Sequence, residues 1–161
     1  MFRKDPFEVL MLEHQECIKR LKQLDRAADR IRSDGFSAEE FSVIVDVLGF
    51  IDTNLRHHNE KEEKYLFNFV ENHINGSSEL VKNEHRELWK EFDRLTKIVH
   101  DIEDGRFHGS SIVELVNTSK YIVMLMISHI DNENKVFFPR ARNVLTKNEL
   151  QYFTAAIAAG N

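Results

Sequence analysis

The 161-residue sequence predicts an all-α fold: an antiparallel up-down-up-down four-helix bundle with a short C-terminal fifth helix. Three features predict it. Apolar residues recur in alternating steps of three and four along four long segments, the spacing of one helix face. Two prolines and six glycines leave few turns, so the elements are long. The breaks between segments are short enough to force neighbouring helices to reverse direction. No strand-like alternation competes.

Each element has its own start and stop. Asp5-Pro6 opens the first helix: Asp5 can cap, Pro6 suits the first helical position, and Glu8 completes a capping-box pattern. It runs to about Ser33, where Asp34-Gly35 stops it, with a seam of Phe7, Leu10, His14, Cys17, Leu21, Leu24, Ala28 and Ile31. Ser37-Ala38-Glu39-Glu40 is a second capping box and starts a helix to about Ile74, ended by Asn75-Gly76. Its seam is Ile44, Leu48, Ile51, Leu55, His58, Glu62, Tyr65 and Phe69. Ser77-Ser78 opens a third helix to about Asp104-Gly105, with Val81, His85, Leu88, Phe92, Leu95, Val99 and Ile102 inward. Ser111-Ile112-Val113-Glu114 opens a fourth, ended or kinked by Pro139, with Leu115, Ser119, Ile122, Met126, His129, Glu133 and Val136 inward. The second and fourth helices resemble each other weakly. Thr146-Lys147-Asn148-Glu149 caps a fifth helix to about Ala159. Its apolar face (Leu150, Phe153 and Ile157) is expected to dock on the bundle or on a second copy, which would make a homodimer.

Composition narrows the function class. The length is that of one domain, spanning 1–161, with the bundle at about 5–142 and the extra helix at about 146–159. A 42% hydrophobic share suffices for a core, and a net charge of −5 with 30% charged residues argues against disorder and against a nucleic-acid binder working by bulk charge. The basic run Lys19-Arg20-Lys22 is too short and too diluted by acid to change that. A single cysteine, Cys17, cannot form an internal disulfide, Met1 to Pro6 is no signal peptide, and the longest apolar run, Tyr121 to Ile127, is too short for a bilayer. A cytoplasmic protein without membrane partner is expected.

The seams carry exceptions. Four histidines (His14, His58, His85 and His129) and two glutamates (Glu62 and Glu133) interrupt otherwise nearly apolar rows. A buried carboxylate without a partner costs several kcal/mol. No Lys or Arg occupies a seam to pair with either glutamate, so a bound cation would compensate. Depth agrees: in an up-down-up-down bundle all six side chains fall in roughly one layer at one end. His58-x-x-x-Glu62 and His129-x-x-x-Glu133 are both i, i+4 pairs, each stacked on one helical face. Each can give an imidazole to one metal and let its carboxylate bridge to a second. Mixed imidazole and carboxylate ligands suit iron or manganese, with zinc as an alternative. Two octahedral metals offer about 12 positions, of which these ligands and one bridging oxo or hydroxo group leave about two for water or a small ligand.

These residues resemble the hemerythrin-like proteins, the HHE cation-binding domain family. The resemblance rests on Glu13-His14, on His58-Asn59-Glu60-Lys61-Glu62-Glu63 with Leu66-Phe67, on Glu84-His85, and on His129-Ile130-Asp131-Asn132-Glu133 with Phe137-Phe138-Pro139. It covers roughly Asp5 to Arg142. It implies a four-helix bundle with a non-haem di-iron centre: two iron ions with an oxo or hydroxo bridge, held by His14, His58, Glu62, His85, His129 and Glu133, with manganese or zinc as lesser alternatives. The oxygen-carrying members have a second histidine on the third helix, where this sequence has Trp89, and a His-x4-Asp pair on the last, where it has His-x-x-x-Glu. The departures favour the wider hemerythrin-like group, with oxygen, peroxide or nitric oxide as small ligand. The resemblance does not extend to the N-terminal segment of the iron–sulfur repair members, so that role is expected to rank lower.

Other features have plainer readings. His57 is a flanking or outer residue; His73, His100 and His108 read as surface; Cys17 as a small hydrophobe; Tyr65 as core packing with a hydroxyl within reach of the site; Trp89, Met11 and Met126 as packing. Glu60, Lys61, Glu63 and Lys64 read as a solvated face. Two other function classes use the same features: an iron or oxygen sensor or iron-handling protein whose ligand end folds on metal, and a metal-free helical interaction module.

Overall fold

A computed structural model describes residues 3–160; Met1 and Phe2, within the segment read as no signal peptide, and Asn161 lie outside the described residues. The described residues form helices and no strand. Helix α1 spans Pro6–Asp34, α2 Ala38–Phe50, α3 Arg56–Lys61, α4 Phe67–His73, α5 Glu79–Glu103, α6 Gly109–Asn132, α7 Phe138–Val144 and α8 Lys147–Ala159. Helices α2, α3 and α4 form one continuous stretch joined by π-helical turns at Ile51–Leu55 and Glu62–Leu66, and α6 continues into α7 through a third at Glu133–Phe137. α1 packs against α2 and α6, α5 against α6, and α8 lies on α1 and on the Glu62–Leu66 turn.

Most ends follow the local chemistry. The Asp5 carboxylate accepts from the Phe7 and Glu8 backbone N–H groups, and Ser37 accepts from Glu40. Thr146 and Glu149 form a reciprocal capping box. Gly76 and Gly105 take φ values of 79°, a left-handed conformation that a side chain resists, and the helices before them stop there. Two starts differ from expectation. Ser78 makes no cap with its side chain; Glu71 instead accepts from the Gly76 and Ser78 N–H groups and the Ser78 hydroxyl. α6 begins at Gly109, two residues before Ser111, and His108 caps it with Ser111 in return. Pro139 does not end the fourth stretch. It falls in the first turn of α7, where a missing N–H is tolerated, and the helix runs on to Val144.

The π turns change the inward register. At Phe67 and Phe138 the backbone N–H reaches back five residues, to the Glu62 and Glu133 carbonyls. One extra residue per turn rotates everything beyond it by roughly 100° relative to an unbroken α-helix. Leu66, Phe67 and Val70 therefore face inward instead of the expected Tyr65 and Phe69, which are only partly buried. Phe137, Phe138 and Ala141 face inward instead of Val136, which is 48% exposed.

Two apolar clusters make the core. The larger holds Cys17, Leu55, Leu88, Met126 and the rows running away from them. The smaller holds Phe7, Leu10, Leu66, Phe67, Val81, Phe137 and Phe138, closed off by Phe153 and Ile157 of α8. α8 thus docks on its own bundle, through an edge contact of Phe153 with Phe7 at 5.5 Å. Leu150, expected on the same face, is exposed, as is Met11, expected in the core. The stretch Gly109–Val144 is long and apolar enough to cross a membrane by length and composition, unlike the short run noted in the sequence. A core helix passes the same test, and this one carries Ile122, Met126, His129 and Glu133 into the interior.

Candidate metal centre

Between the two apolar clusters lies a polar layer. His14, His58, Glu62, His85, His129 and Glu133 are each no more than 3% exposed. They come from α1, α3 with the π turn after it, α5, and α6 with the π turn after it. All six residues singled out on the seams are brought together.

The geometry is doubled. The Nε2 atoms of His14 and His58 lie 3.0 Å apart, and those of His85 and His129 lie 3.1 Å apart. His58 Nε2 is 2.9 Å from Glu62 Oε1, and His129 Nε2 is in close contact with Glu133 Oε1. Each glutamate also faces the other half: Glu133 is 3.8 Å from His14 Nε2 and Glu62 is 3.9 Å from His85 Nε2. Two donor groups result, His14–His58–Glu62–Glu133 and His85–His129–Glu62–Glu133, each within 4.8 Å. They share both glutamates.

Every histidine is held from behind at Nδ1. His58 Nδ1 is 2.5 Å from Glu13, His85 Nδ1 is 2.7 Å from Glu63, His129 Nδ1 is 2.5 Å from Glu84, and His14 Nδ1 is 2.7 Å from the Asn134 side-chain oxygen. Each partner oxygen accepts, so Nδ1 carries a proton in every one of these rings, and a ring that holds no second proton presents its Nε2 lone pair to the centre. The rings are also wedged. Phe138 stacks on His14 at 5.4 Å and Phe67 lies against His85 at 5.3 Å. Both phenylalanines are the first residues after a π turn, so the turns that follow Glu62 and Glu133 also fix the opposite histidines.

Four imidazole Nε2 atoms and four carboxylate oxygens thus converge on one buried layer. None of the Glu62 and Glu133 oxygens has a hydrogen-bond partner. Protons are the only cations the residues themselves can supply. Burial and the charge of Glu133 push Glu62 up to about 8, whereas His129 beside Glu133 outweighs burial and holds that carboxyl well below the usual range. Burial opposes charge on His58 and His129, but Glu62 and Glu133 beside them raise both to about 10. Burial and neighbouring His58 pull His14 down to about 4. A metal entering this layer displaces those protons and satisfies the orphaned oxygens.

Other candidates lie elsewhere. His57 is exposed and its Nε2 is 2.9 Å from the Gly160 carbonyl. Tyr65, turned off the seam by the π turn, packs edge-on against Tyr152 of α8. Trp89 packs on Phe92 and under the Arg56 guanidinium, 4.2 Å away. His73 pairs with Glu149, and Cys17 is buried one turn from His14.

Sequence reasoning missed the outer residues. Glu13 and Glu84 were noted only as parts of a motif, and Lys61 and Glu63 as solvated. Lys61 is 4% exposed and donates to Glu13 at 2.6 Å, while Glu63 holds His85. A signal was present. Each outer partner is the chain neighbour of one of the six layer residues yet serves a histidine on another helix. The two halves also repeat at a constant offset of 71 residues (13 to 84, 14 to 85, 58 to 129, 62 to 133, 63 to 134).

Residues 5–141 match the profile of the family described as the hemerythrin HHE cation binding domain. No curated protein matches the chain.

Proposed function

The chain belongs to the hemerythrin HHE cation-binding family, and on that basis we propose that it is a non-haem di-iron protein that binds or reacts with a small oxidant such as oxygen, peroxide or nitric oxide. Its ligands are His14, His58, Glu62, His85, His129 and Glu133. The observation that carries this reading is the set of four buried carboxylate oxygens without a hydrogen-bond partner, shared between two histidine pairs. Contacts that run in opposite chain directions support the antiparallel bundle: His14 with Asn134 against Lys120 with Asp25 and Asp29, and His14 with His58 against Arg30 with Glu40.

When bound, a pair of iron ions supplies Lewis acidity and exchangeable electrons at positions not filled by protein. The residues do the rest. Glu62 and Glu133, each facing both histidine pairs, would hold the ions and offset their charge. The four Nδ1 partners fix ring orientation and raise ligand basicity. Phe67, Phe137 and Phe138 exclude water from one side, and Leu88 and Met126 from the other.

The first test is metal content per chain on protein from iron-replete cells, with optical spectra before and after reduction. Two irons and an absorption band that bleaches on reduction are expected. Protein that holds no metal, and takes none up after reduction, overturns the reading. Glu62→Ala and Glu133→Ala should each lower metal content and abolish the parent spectrum, with helix content by circular dichroism largely kept. Either variant retaining two metals and that spectrum sinks the bridging assignment.

One observation favours a sensor or iron-handling role as second reading. The polar layer is what separates the small cluster, with α8 upon it, from the rest of the core. Metal removal should then speed amide exchange at the starts of α1 and α5. Unchanged exchange excludes it.

A further inference from the structure

The longest apolar run of the sequence, Tyr121 to Ile127, serves two faces of α6. Ile122, Val123 and Met126 turn into the core. Tyr121, Met124 and Ile127 turn to the surface, 37%, 57% and 42% exposed, and Val113 near the start of the helix is 58% exposed. On a period of 3.6, Val113, Asn117, Tyr121, Met124 and Ser128 follow one another along a single stripe, with Ile127 at its edge. From Asn117 to Ser128 no exposed side chain is charged. Lys120 lies in this stretch but is drawn aside onto α1, its Nζ 2.9 Å from Asp25 and 2.6 Å from Asp29. Helix α5 shows the ordinary pattern: its exposed residues from Arg86 to Lys97 are all charged. Less than half of the most apolar part of Gly109–Val144 is buried. A helix that is apolar on both faces is expected to have a partner on each.

The charges around the stripe indicate which partner. Exposed Glu114 borders it at one end. Asp131 and Lys135, paired at 2.5 Å, border it at the other. A second copy of α6, laid antiparallel across a two-fold axis at Met124, meets this row in complementary order. Met124 meets the Met124 of the other copy, and an unbranched thioether adapts to its own kind. Tyr121 then faces Ile127, Asn117 can donate to Asp131, and Lys135 reaches Glu114, each pair crossing between copies. Unlike groups meet at both ends of a contact about 30 Å long, at about 1.5 Å rise per residue. A bilayer surface suits this face less. Anionic headgroups favour Lys and Arg around an apolar stripe, whereas Glu114 and Asp131 at its ends are acidic.

We propose that the outer face of α6 docks a second copy of this chain, in a two-fold antiparallel dimer centred on Met124. This face is not that of α8, which closes its own bundle. The proposal does not depend on the metal-centre reading.

Sedimentation of the full-length protein over a concentration series tests it, and the mass of two chains is expected at the upper end. Met124→Glu sets two carboxylates against each other and should abolish the dimer. The position is exposed, so the helical dichroism of the variant should match the parent. Glu114→Lys and Lys135→Glu should each weaken association by about tenfold or more, because each sets like charges together. The two combined should restore it, which only the antiparallel register allows. Met124→Cys should link to its own copy on mild oxidation, whereas Leu80→Cys, as exposed on α5, should not. A monomer at every concentration overturns the proposal, and so does a monomer that floats with phosphatidylcholine–phosphatidylglycerol vesicles, which would make the stripe a membrane face. A dimer that survives Met124→Glu overturns it too, and a combined variant that stays monomeric overturns the antiparallel register.

Discussion

A buried carboxylate with no donor near it is costly, and that single fact made Glu62 and Glu133 visible in the sequence. The four histidines of the layer were visible for a related reason: they interrupt rows that otherwise bury apolar surface. Their outer partners were not visible, because Glu13, Glu63, Glu84 and Asn134 sit beside the seam and reach across to another helix. Which helix they reach depends on how the helices pack. Lys61 shows the same limit. Glu60 and Glu63 near it in sequence are charged and exposed, yet its ammonium is drawn inward by Glu13, an ion pair between α1 and α3 that sequence spacing does not encode. Cys17 illustrates a residue whose plain reading holds. It is 2% exposed, and burial, with Glu16 adding to it, pushes its thiol up to about 12. A thiol that stays protonated is a poor nucleophile. Iodoacetamide at pH 8 should therefore leave the native protein unmodified and alkylate one site once it is unfolded. Rapid alkylation of the native protein would show that the cavity Cys17 lines admits reagents and that the thiol ionises.

At the scale of elements, helix positions were legible and helix register was not. A period of 3.6 carries Val136 inward, but the π turn beginning at Glu133 hands that position to Phe137 and Phe138. The two cases differ measurably. Phe138→Ala should destabilise the protein by about 3–5 kcal/mol, the cost of emptying a buried aromatic site. Val136→Ala should stay within about 0.5 kcal/mol, as expected of an exposed position. Chemical denaturation of both variants checks this, and a large effect at Val136 would restore the unbroken register. The link before α5 offers a pH test. Glu71 is held down to about 2, first by the Ser78 hydroxyl and then by the Gly76 and Ser78 N–H groups. A lowered carboxylate stabilises above its unfolded value of 4.5, and that contribution fades as pH falls through about 2. Glu71→Gln should therefore lower Tm at pH 7 and have little effect near pH 2. Equal effects at both pH values would mean that the charge of Glu71 is not what closes the turn.

For the whole molecule, the polar layer and the two apolar clusters set stability together. A ligand that binds only the folded state adds RT ln(1 + [L]/Kd), about 2.7 kcal/mol at one hundred times Kd. Chelation should thus lower Tm by several degrees while far-ultraviolet dichroism at 20–25 °C stays largely helical, since the larger cluster needs no metal. An unchanged Tm would mean that nothing in the layer was bound. The sequence by itself determined that the chain is helical, where most helices begin and end within a residue or two (the stretch that runs past Pro139 to Val144 excepted), and which six side chains share one layer. Those properties follow from local periodicity, caps and the one-dimensional order of buried residues. Only the tertiary structure decided which histidine faces which, which carboxylate supports which ring, and where α8 docks. These depend on contacts between helices, and on π turns whose extra residue rotates the chain without leaving a mark in its composition.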